Sequence, residues 1–254
     1  MLYALAIGGG TAELDYCLES RGPKVYPTFG VIPALWPLLD AAAALDASLF
    51  KLLHGEQKLV LHAPIPPCGK LTTESVASHI WDKGKGALVV LDMRTHTEDG
   101  TLLFENQATL FIRGEGGFGG EPGPKSAKLD PPNDREPDFR VEEATLSQQA
   151  LLYRLTGDRN PLHADPSFAE KARFPQPILH GLCSMGFLGR AVVAHAAGGD
   201  PNRVRSLSVR FSDVVFPGDL LISEGWDMGD GIWRLQVRTG RGNTVITNAQ
   251  AQLG

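Results

Sequence analysis

Two segments about 145 residues apart carry the same pattern, and this internal repeat restricts the chain more than any other feature. Trp81-Asp-Lys-Gly-Lys-Gly86 is answered by Trp226-Asp-Met-Gly-Asp-Gly231. Arg94-Thr95 is answered by Arg238-Thr239, and Asn106-Gln-Ala108 by Asn248-Ala-Gln250. The offset shrinks slightly along the chain, as small turn deletions would cause. Around these marks the residues alternate and are punctuated by turn signals. Pro66-Pro67, Gly84-Lys-Gly86 and Glu98-Asp-Gly100 separate expected strands over 71–81, 87–97 and 101–112. The second copy has expected strands near 203–215, 219–228, 231–239 and 243–252. The spacing predicts an α+β fold of two tandem units, each a curled antiparallel sheet. One such unit alone would leave an exposed sheet edge and a poorly buried helix; joining two sheets removes both problems. A chain of 254 residues is long enough to bury the resulting core.

Between the copies lies Gly114-Glu-Gly-Gly-Phe-Gly-Gly120, followed by Pro122, Pro124, Pro131 and Pro132. A phosphate-binding loop needs a strand before it and a helix after it, and the prolines deny the helix. The stretch reads as a linker, with a first unit over 1–120, a connection over 121–140 and a second unit over 141–254. Helices are expected over Ala12–Leu18, Ala34–Leu53, Thr145–Leu155, Pro166–Ala172 and Ile178–Ala197. The last is apolar nearly all round, so it should be buried, and Pro177 suits its start. The copies are unequal. Lys51-Leu-Leu-His54-Gly55 echoes Pro177-Ile-Leu-His180-Gly181, but a strand pattern follows the first and a helix pattern the second. The first unit should therefore lack an equally long central helix and leave an open groove.

The formal net charge is −5, which gives no general attraction to nucleic acid. No apolar run approaches a membrane span. The beginning lacks the basic region of a signal peptide, and the chain does not end in a Ser-Lys-Leu type sequence. Cys17, Cys68 and Cys183 form neither a disulfide framework nor a zinc pattern, which points to a reducing compartment. The seven histidines show no metal spacing, so no metal site is expected.

Chemistry concentrates in Tyr153-Arg-Leu-Thr-Gly-Asp158-Arg-Asn160-Pro-Leu-His163-Ala-Asp165. Gly157 and Pro161 forbid a regular helix through it. A rigid loop holding an Asp near a His suits proton transfer, because the imidazole changes charge near neutral pH. The plainer alternative is an Asx-type turn beside a surface His. This segment resembles the signature of the (R)-specific enoyl-CoA hydratase 2 family, the MaoC-like hydratases of the hotdog fold. Ile178-Leu179-His180-Gly181-Leu182-Cys183-Ser184-Met185 is similar to that family's second motif, and Pro27-Thr-Phe29-Gly-Val-Ile-Pro33 is also family-like.

The resemblance implies a double hotdog with its long buried helix in the second unit. It implies reversible hydration of trans-2-enoyl-CoA to (3R)-3-hydroxyacyl-CoA in fatty-acid metabolism, with no cofactor. Such a reaction needs a water held and deprotonated at C3, a proton delivered to C2, and a donor for the thioester oxygen. Asp158 and His163 can share the first two tasks. Asn160 can orient the water or His163. Gly181, in the first turn of a helix, offers an unpaired N–H as the oxyanion donor. Ser184 is a candidate to hold Asp158 at the substrate site, or else bonds back within its own helix. His54, Gly55, Lys83 and Phe211 match positions that contact acyl-CoA in the family. Their plain alternatives are a satisfied buried His for His54, a solvated turn lysine for Lys83 and core packing for Phe211. The first copy offers no second Asp/His pair, and its groove would take the acyl chain. Competing functions are a hotdog acyl-CoA thioesterase and a non-catalytic acyl-thioester binding module. The expected partner is an acyl-CoA substrate, with no nucleic acid and no membrane, and a homodimer is the further assembly considered. The expected compartment is the cytoplasm, with the peroxisome as the alternative.

Overall fold

The computed structural model describes residues 1–44, 50–125 and 128–254, leaving aside the side chains of Ala41 and Ala42. Three helices come first: α1 (Leu2–Ala6), α2 (Leu14–Cys17) and α3 (Leu35–Ala44). Four strands follow: β1 (Leu52–Leu61), β2 (Leu71–Asp82), β3 (Gly86–Thr97) and β4 (Leu102–Arg113). The second half opens with β5 (Phe139–Ala144), then α4 (Gln149–Tyr153), α5 (Pro166–Lys171) and α6 (Gly181–Ala191). It closes with β6 (Val204–Phe211), β7 (Leu220–Asp227), β8 (Ile232–Thr239) and β9 (Thr244–Leu253).

The strands form one antiparallel sheet in the order β2-β3-β4-β1-β6-β9-β8-β7-β5. The two copies are visible in that order. β1-β4-β3-β2 runs outward on one side of the joint and β6-β9-β8-β7 on the other. They meet edge to edge at β1 and β6, where Glu56 pairs with Arg210 and Val60 with Ser206. A bidentate contact from the Arg210 guanidinium to Glu56 Oε1 crosses this seam, its Nε branch at 2.7 Å. Two curled sheets joined in this way, with a buried helix, make a double hotdog.

Helix α6 is buried from Leu182 to Ala191 and continues as a single π turn over Val192–Ala196. Its side chains Met185, Phe187 and Leu188 sit in the main core with Leu207, Leu221, Leu235 and Ile246 of the second sheet. Each such side chain removed from water contributes roughly 1.5–3 kcal/mol. The N-terminal segment closes over this helix. Gln149 Nε2 donates to the Ala6 carbonyl at 2.7 Å, and buried Arg190 reaches Glu143 Oε1 at 2.9 Å, Glu13 Oε1 and the Ile7 carbonyl.

Several expectations change here. The echo of His180-Gly181 in His54-Gly55 joins positions that are not equivalent, because His54 and Gly55 lie within β1. The counterpart of α6 is α3, which precedes β1 as α6 precedes β6. Ala34 and Leu38 pack on Val89, Leu91, Met93, Ala108, Leu110 and Ile112 of the first sheet, so that face is not an open groove beneath α3. Of the helix expected through Leu53, residues 45–49 lie outside the described residues, and Leu52 and Leu53 belong to β1. Helix α1 was not anticipated. Nor was β5, an edge strand that pairs with β7 and begins within the stretch 121–140. The expected helix from Thr145 starts at Gln149 instead, because Thr145 N and Oγ1 both donate to the Asp219 carbonyl at 2.9 Å.

The glycine-rich run wraps an anion that the chain itself supplies. The Asp82 carboxylate accepts from the backbone of Gly84 and Gly117 at 2.8 Å and of Gly119 at 2.9 Å. Those bonds, led by Gly117, hold its carboxyl below the usual range. The Gly117 and Gly119 amides of the run are thus committed to Asp82 rather than free for a phosphate. In the second copy Asp227 caps its own turn in the same way, at Gly229 N. The repeated Trp-Asp pair thus marks a turn that an Asp must hold.

Candidate active site

The loop after α4 is built by local rules. Gly157 has φ +139°, a backbone state that a side chain would resist, and its N–H closes the 3-10 turn over Arg154–Thr156. Asp158 Oδ1 accepts from Asn160 N at 3.1 Å, and Asn160 Oδ1 caps the turn Pro161–His163 by accepting from Leu162 N at 3.0 Å. The Asx turn weighed against catalysis is therefore present, and it is the device that presents the reactive groups. Asn160 commits one lone pair of its side-chain oxygen to the loop, and its amide nitrogen is the donor left to orient another group.

His163 is fixed by its ring. Nδ1 lies 2.9 Å from the Ile178 carbonyl, which can only accept, so Nδ1 carries the hydrogen and Nε2 keeps the lone pair. Burial lowers its pKa below the ordinary histidine value, while nearby Asp158 and the Ile178 bond oppose that shift. The result is a neutral imidazole beside a carboxyl group.

That same bond explains where α6 begins. Ile178 gives its carbonyl to His163, and Leu179 N donates to Val215 O at 2.7 Å. Residues 178–180 are thereby drawn out as extended chain, and the helix starts at Gly181 rather than at Ile178. Gly181 is the first helical residue, where N–H groups point away from the helix unpaired. Among the described residues no acceptor takes its N–H. A Cβ on Gly181 would stand 3.0–3.2 Å from three ring atoms of Phe211.

Phe211 links the site to the binding candidates. Its ring meets His54 edge to face at 5.2 Å, and it lines a cavity of about 520 Å³ with Gly55, Lys83, Trp81 and Arg210. Gly55 is the extra residue of a β-bulge in β1 against β4, between His54 and Glu56. Burial lowers the His54 pKa to about 4, against smaller opposing effects of the Glu56 carbonyl and Asp158. His54 is thus a neutral, half-buried histidine whose Nε2–H donates to Glu56 O at 3.2 Å. Lys83 lines the cavity, but its ammonium is tied to the Pro122 carbonyl, so it is not a free turn lysine.

Two placements differ from expectation. Ser184 is buried one turn into α6, and its Oγ has no partner among the described residues. It neither holds Asp158 nor bonds back within the helix. His180, to which the sequence patterns assigned no role, is stacked on His163 with ring centres 3.7 Å apart and 26° between planes. Its Nε2–H donates to the Asp158 carbonyl at 3.2 Å. Only its place beside Gly181 in the second motif could have flagged it. Donor atoms of Asp158, His163 and His180 all lie within 4.8 Å of one another. Near-parallel rings direct their in-plane lone pairs side by side rather than at one point, and His163 Nδ1 is already spent. The trio suits proton handling better than a tetrahedral metal.

Known proteins match this arrangement along the whole chain. The family model described as the MaoC like domain covers residues 128–250, and that of the MFE-2 hydratase 2 N-terminal domain covers 1–114. A 3-hydroxyacyl-thioester dehydratase Y of Mycobacterium tuberculosis is 45% identical over 247 residues, 93% of this chain and 84% of the relative. The chain belongs to the MaoC-like hydratase 2 family. Within that family, the mouse peroxisomal multifunctional enzyme type 2 is 39% identical over 100% of this chain, which spans 36% of that longer protein. The crystal structure of a MaoC-like dehydratase from Phytophthora capsici superposes with a TM-score of 0.88 at 32% identity, covering 100% of this chain and 90% of the other. No described helix of this MaoC-like chain is long and apolar enough to cross a membrane.

Proposed function

We propose that this chain adds water reversibly across the double bond of trans-2-enoyl-CoA thioesters to give (3R)-3-hydroxyacyl-CoA in fatty-acid metabolism. The observation that carries the reading is the meeting of three groups at one place. A neutral His163 with a free Nε2 and the Asp158 carboxyl stand beside the helix start where Gly181 offers an uncommitted N–H. In the forward direction one O–H bond of water breaks. Its oxygen bonds to C3, its proton passes to the Asp158/His163 pair, and a proton from that pair is delivered to C2. Negative charge that develops on the thioester oxygen is met by the Gly181 N–H. The reverse sequence is a dehydration, and names of relatives include both hydratase and dehydratase. All the needed proton transfers can be made by these side chains, so the reading includes no cofactor.

His54, Gly55, Lys83 and Phe211 form the thioester-binding side in this reading. The link from Phe211 to Gly181 supports it, as does the cavity that Phe211 shares with Gly55 and Lys83. Ser184 contributes from behind as packing. Three free cysteines suit a reducing compartment, and we place the reaction in the cytoplasm, with the peroxisome as the alternative that several relatives' names support. A homodimer is the assembly we expect, and sedimentation at micromolar concentration tests it.

The catalytic assignment is tested with crotonyl-CoA, by following loss of the conjugated enoyl absorbance. Asp158→Asn and His163→Ala should each lower kcat by at least about a hundredfold, the scale of a lost general acid or base. Both variants should keep the wild-type melting profile within a few degrees. Near-normal hydration by either variant would mean that the wrong residues have been chosen.

A further inference from the structure

His180 touches both members of the acid–base pair. Its Nε2–H holds the Asp158 carbonyl, its ring covers the His163 ring, and its own peptide leads into Gly181. On its far side the Tyr153 ring lies 4.9 Å away at 48°. The side chain is 1% exposed, and its Nδ1 has no partner among the described residues. The groups facing it are Asp158 and His163 from the loop and Tyr153 and Arg154 from the segment before it. Burial, followed by the proximity of His163, keeps this imidazole neutral.

We propose that His180 is a positioning residue, pinning the Asp158 carbonyl through Nε2–H and the His163 imidazole through ring contact. This inference rests on Asp158 and His163 being the acid–base pair. Both contacts remove freedom from the acid–base pair. Asp158 follows a glycine in an unusual backbone state; Asn160 N holds its Oδ1 from one side, and the bond to its carbonyl fixes the peptide from which the carboxyl extends. The bond from His163 to Ile178 fixes one atom of the ring, while the stacked face blocks rotation about that bond. A misplacement of about 1 Å in such a pair can cost a hundredfold in rate. Because both anchors come from one residue at the start of α6, the acid–base pair and the Gly181 N–H share one frame.

The test uses two variants of the full chain with crotonyl-CoA. His180→Phe keeps a ring and the stack but has no N–H. His180→Gln supplies a donor at similar reach but has no ring. His180→Phe should lose about thirtyfold in kcat with KM changed less than about threefold, and His180→Gln should recover to within about fivefold of wild type. A wild-type kcat in His180→Phe overturns the proposal, as does a His180→Gln no better than His180→Phe. If His180→Phe fails to fold, the pH profile of His180→Gln decides. Water entering where the ring stood should move the acid limb of kcat/KM upward by about half a pH unit or more, and an unmoved limb overturns the proposal. Asp158→Asn and His163→Ala serve as the reference. If they still hydrate, the underlying site is wrong; if they are dead while both His180 variants turn over normally, only this inference fails.

Discussion

Replacing Gly181 by Ala separates the chemistry of its N–H from the packing around it. The added Cβ would lie 3.0, 3.1 and 3.2 Å from Phe211 Cδ1, Cε1 and Cγ. Such contacts require a retreat of a few tenths of an ångström. Phe211 is half-buried and borders the cavity, so its ring can give way. The stability cost should therefore sit near about 1 kcal/mol, the low end for overpacking. In a chain of this size that is a drop in Tm of about 2–4 °C. The effect on rate should be larger. A methyl beside the N–H stands where the thioester oxygen must come, and a lost oxyanion donor is worth about 3 kcal/mol, or roughly a hundredfold in kcat. The assay is steady-state hydration of crotonyl-CoA beside a melting curve, for Gly181→Ala and for Gly181→Ala combined with Phe211→Leu. The smaller side chain should relieve the clash and restore Tm while leaving kcat low. If the double variant recovers both, Gly181 serves only close packing. If Gly181→Ala alone keeps more than about a third of the wild-type kcat, the oxyanion argument is wrong.

Three further outcomes follow from the geometry. The acid limb of kcat/KM should fall below pH 6.5, because burial lowers the His163 pKa and the base must be neutral; a limb above that value would show that His163 is not the group titrating. Stability should fall as the solution is acidified from pH 6.5 towards pH 4. His54, His163 and His180 all have lowered folded pKa values, so in that window the unfolded chain binds protons that the folded chain refuses. Each group can contribute up to about 1.4 kcal/mol per pH unit, and His54→Asn should remove roughly a third of the slope of Tm against pH. Arg190→Met should destabilise by about 3 kcal/mol in denaturant unfolding, because it leaves Glu13 and Glu143 facing each other without their shared cation; a loss below about 1 kcal/mol would mean that the cluster is solvated in solution.

The repeat and the alternation made the meander readable, and seven strands fall within a few residues of their expected bounds because turns at Gly and Pro fix their ends. What local pattern could not show is what other parts of the chain impose. β5 alternates only over Phe139-Arg-Val-Glu142 before Glu143 breaks the pattern, too short a run to read as a strand, and it exists because β7 offers it an edge. The start of α6 moves from Ile178 to Gly181 because the Ile178 carbonyl is taken by a side chain fifteen positions earlier in sequence. The strand read after His54 is present, but the echo of Leu179-His180-Gly181 in Leu53-His54-Gly55 misled about equivalence, because so short a likeness does not show that the counterpart of α6 lies upstream in α3. The loop from Asp158 to His163 was legible since its residue types are demanded by chemistry and by turn geometry together. His180 was not, since a single buried histidine looks the same in sequence whether it packs or positions. The glycine-rich run became interpretable only when Asp82 was seen to occupy its amides.

The central claim is stereochemical as well as chemical, and one measurement reaches both. The chain should be incubated with crotonyl-CoA to equilibrium, and the 3-hydroxybutyryl-CoA formed should be resolved on a chiral phase after hydrolysis. The product should be the (3R) isomer alone, and (3R)-3-hydroxybutyryl-CoA offered in reverse should be dehydrated while the (3S) isomer is left untouched. A (3S) or racemic product would contradict the account, as would release of free coenzyme A without hydration.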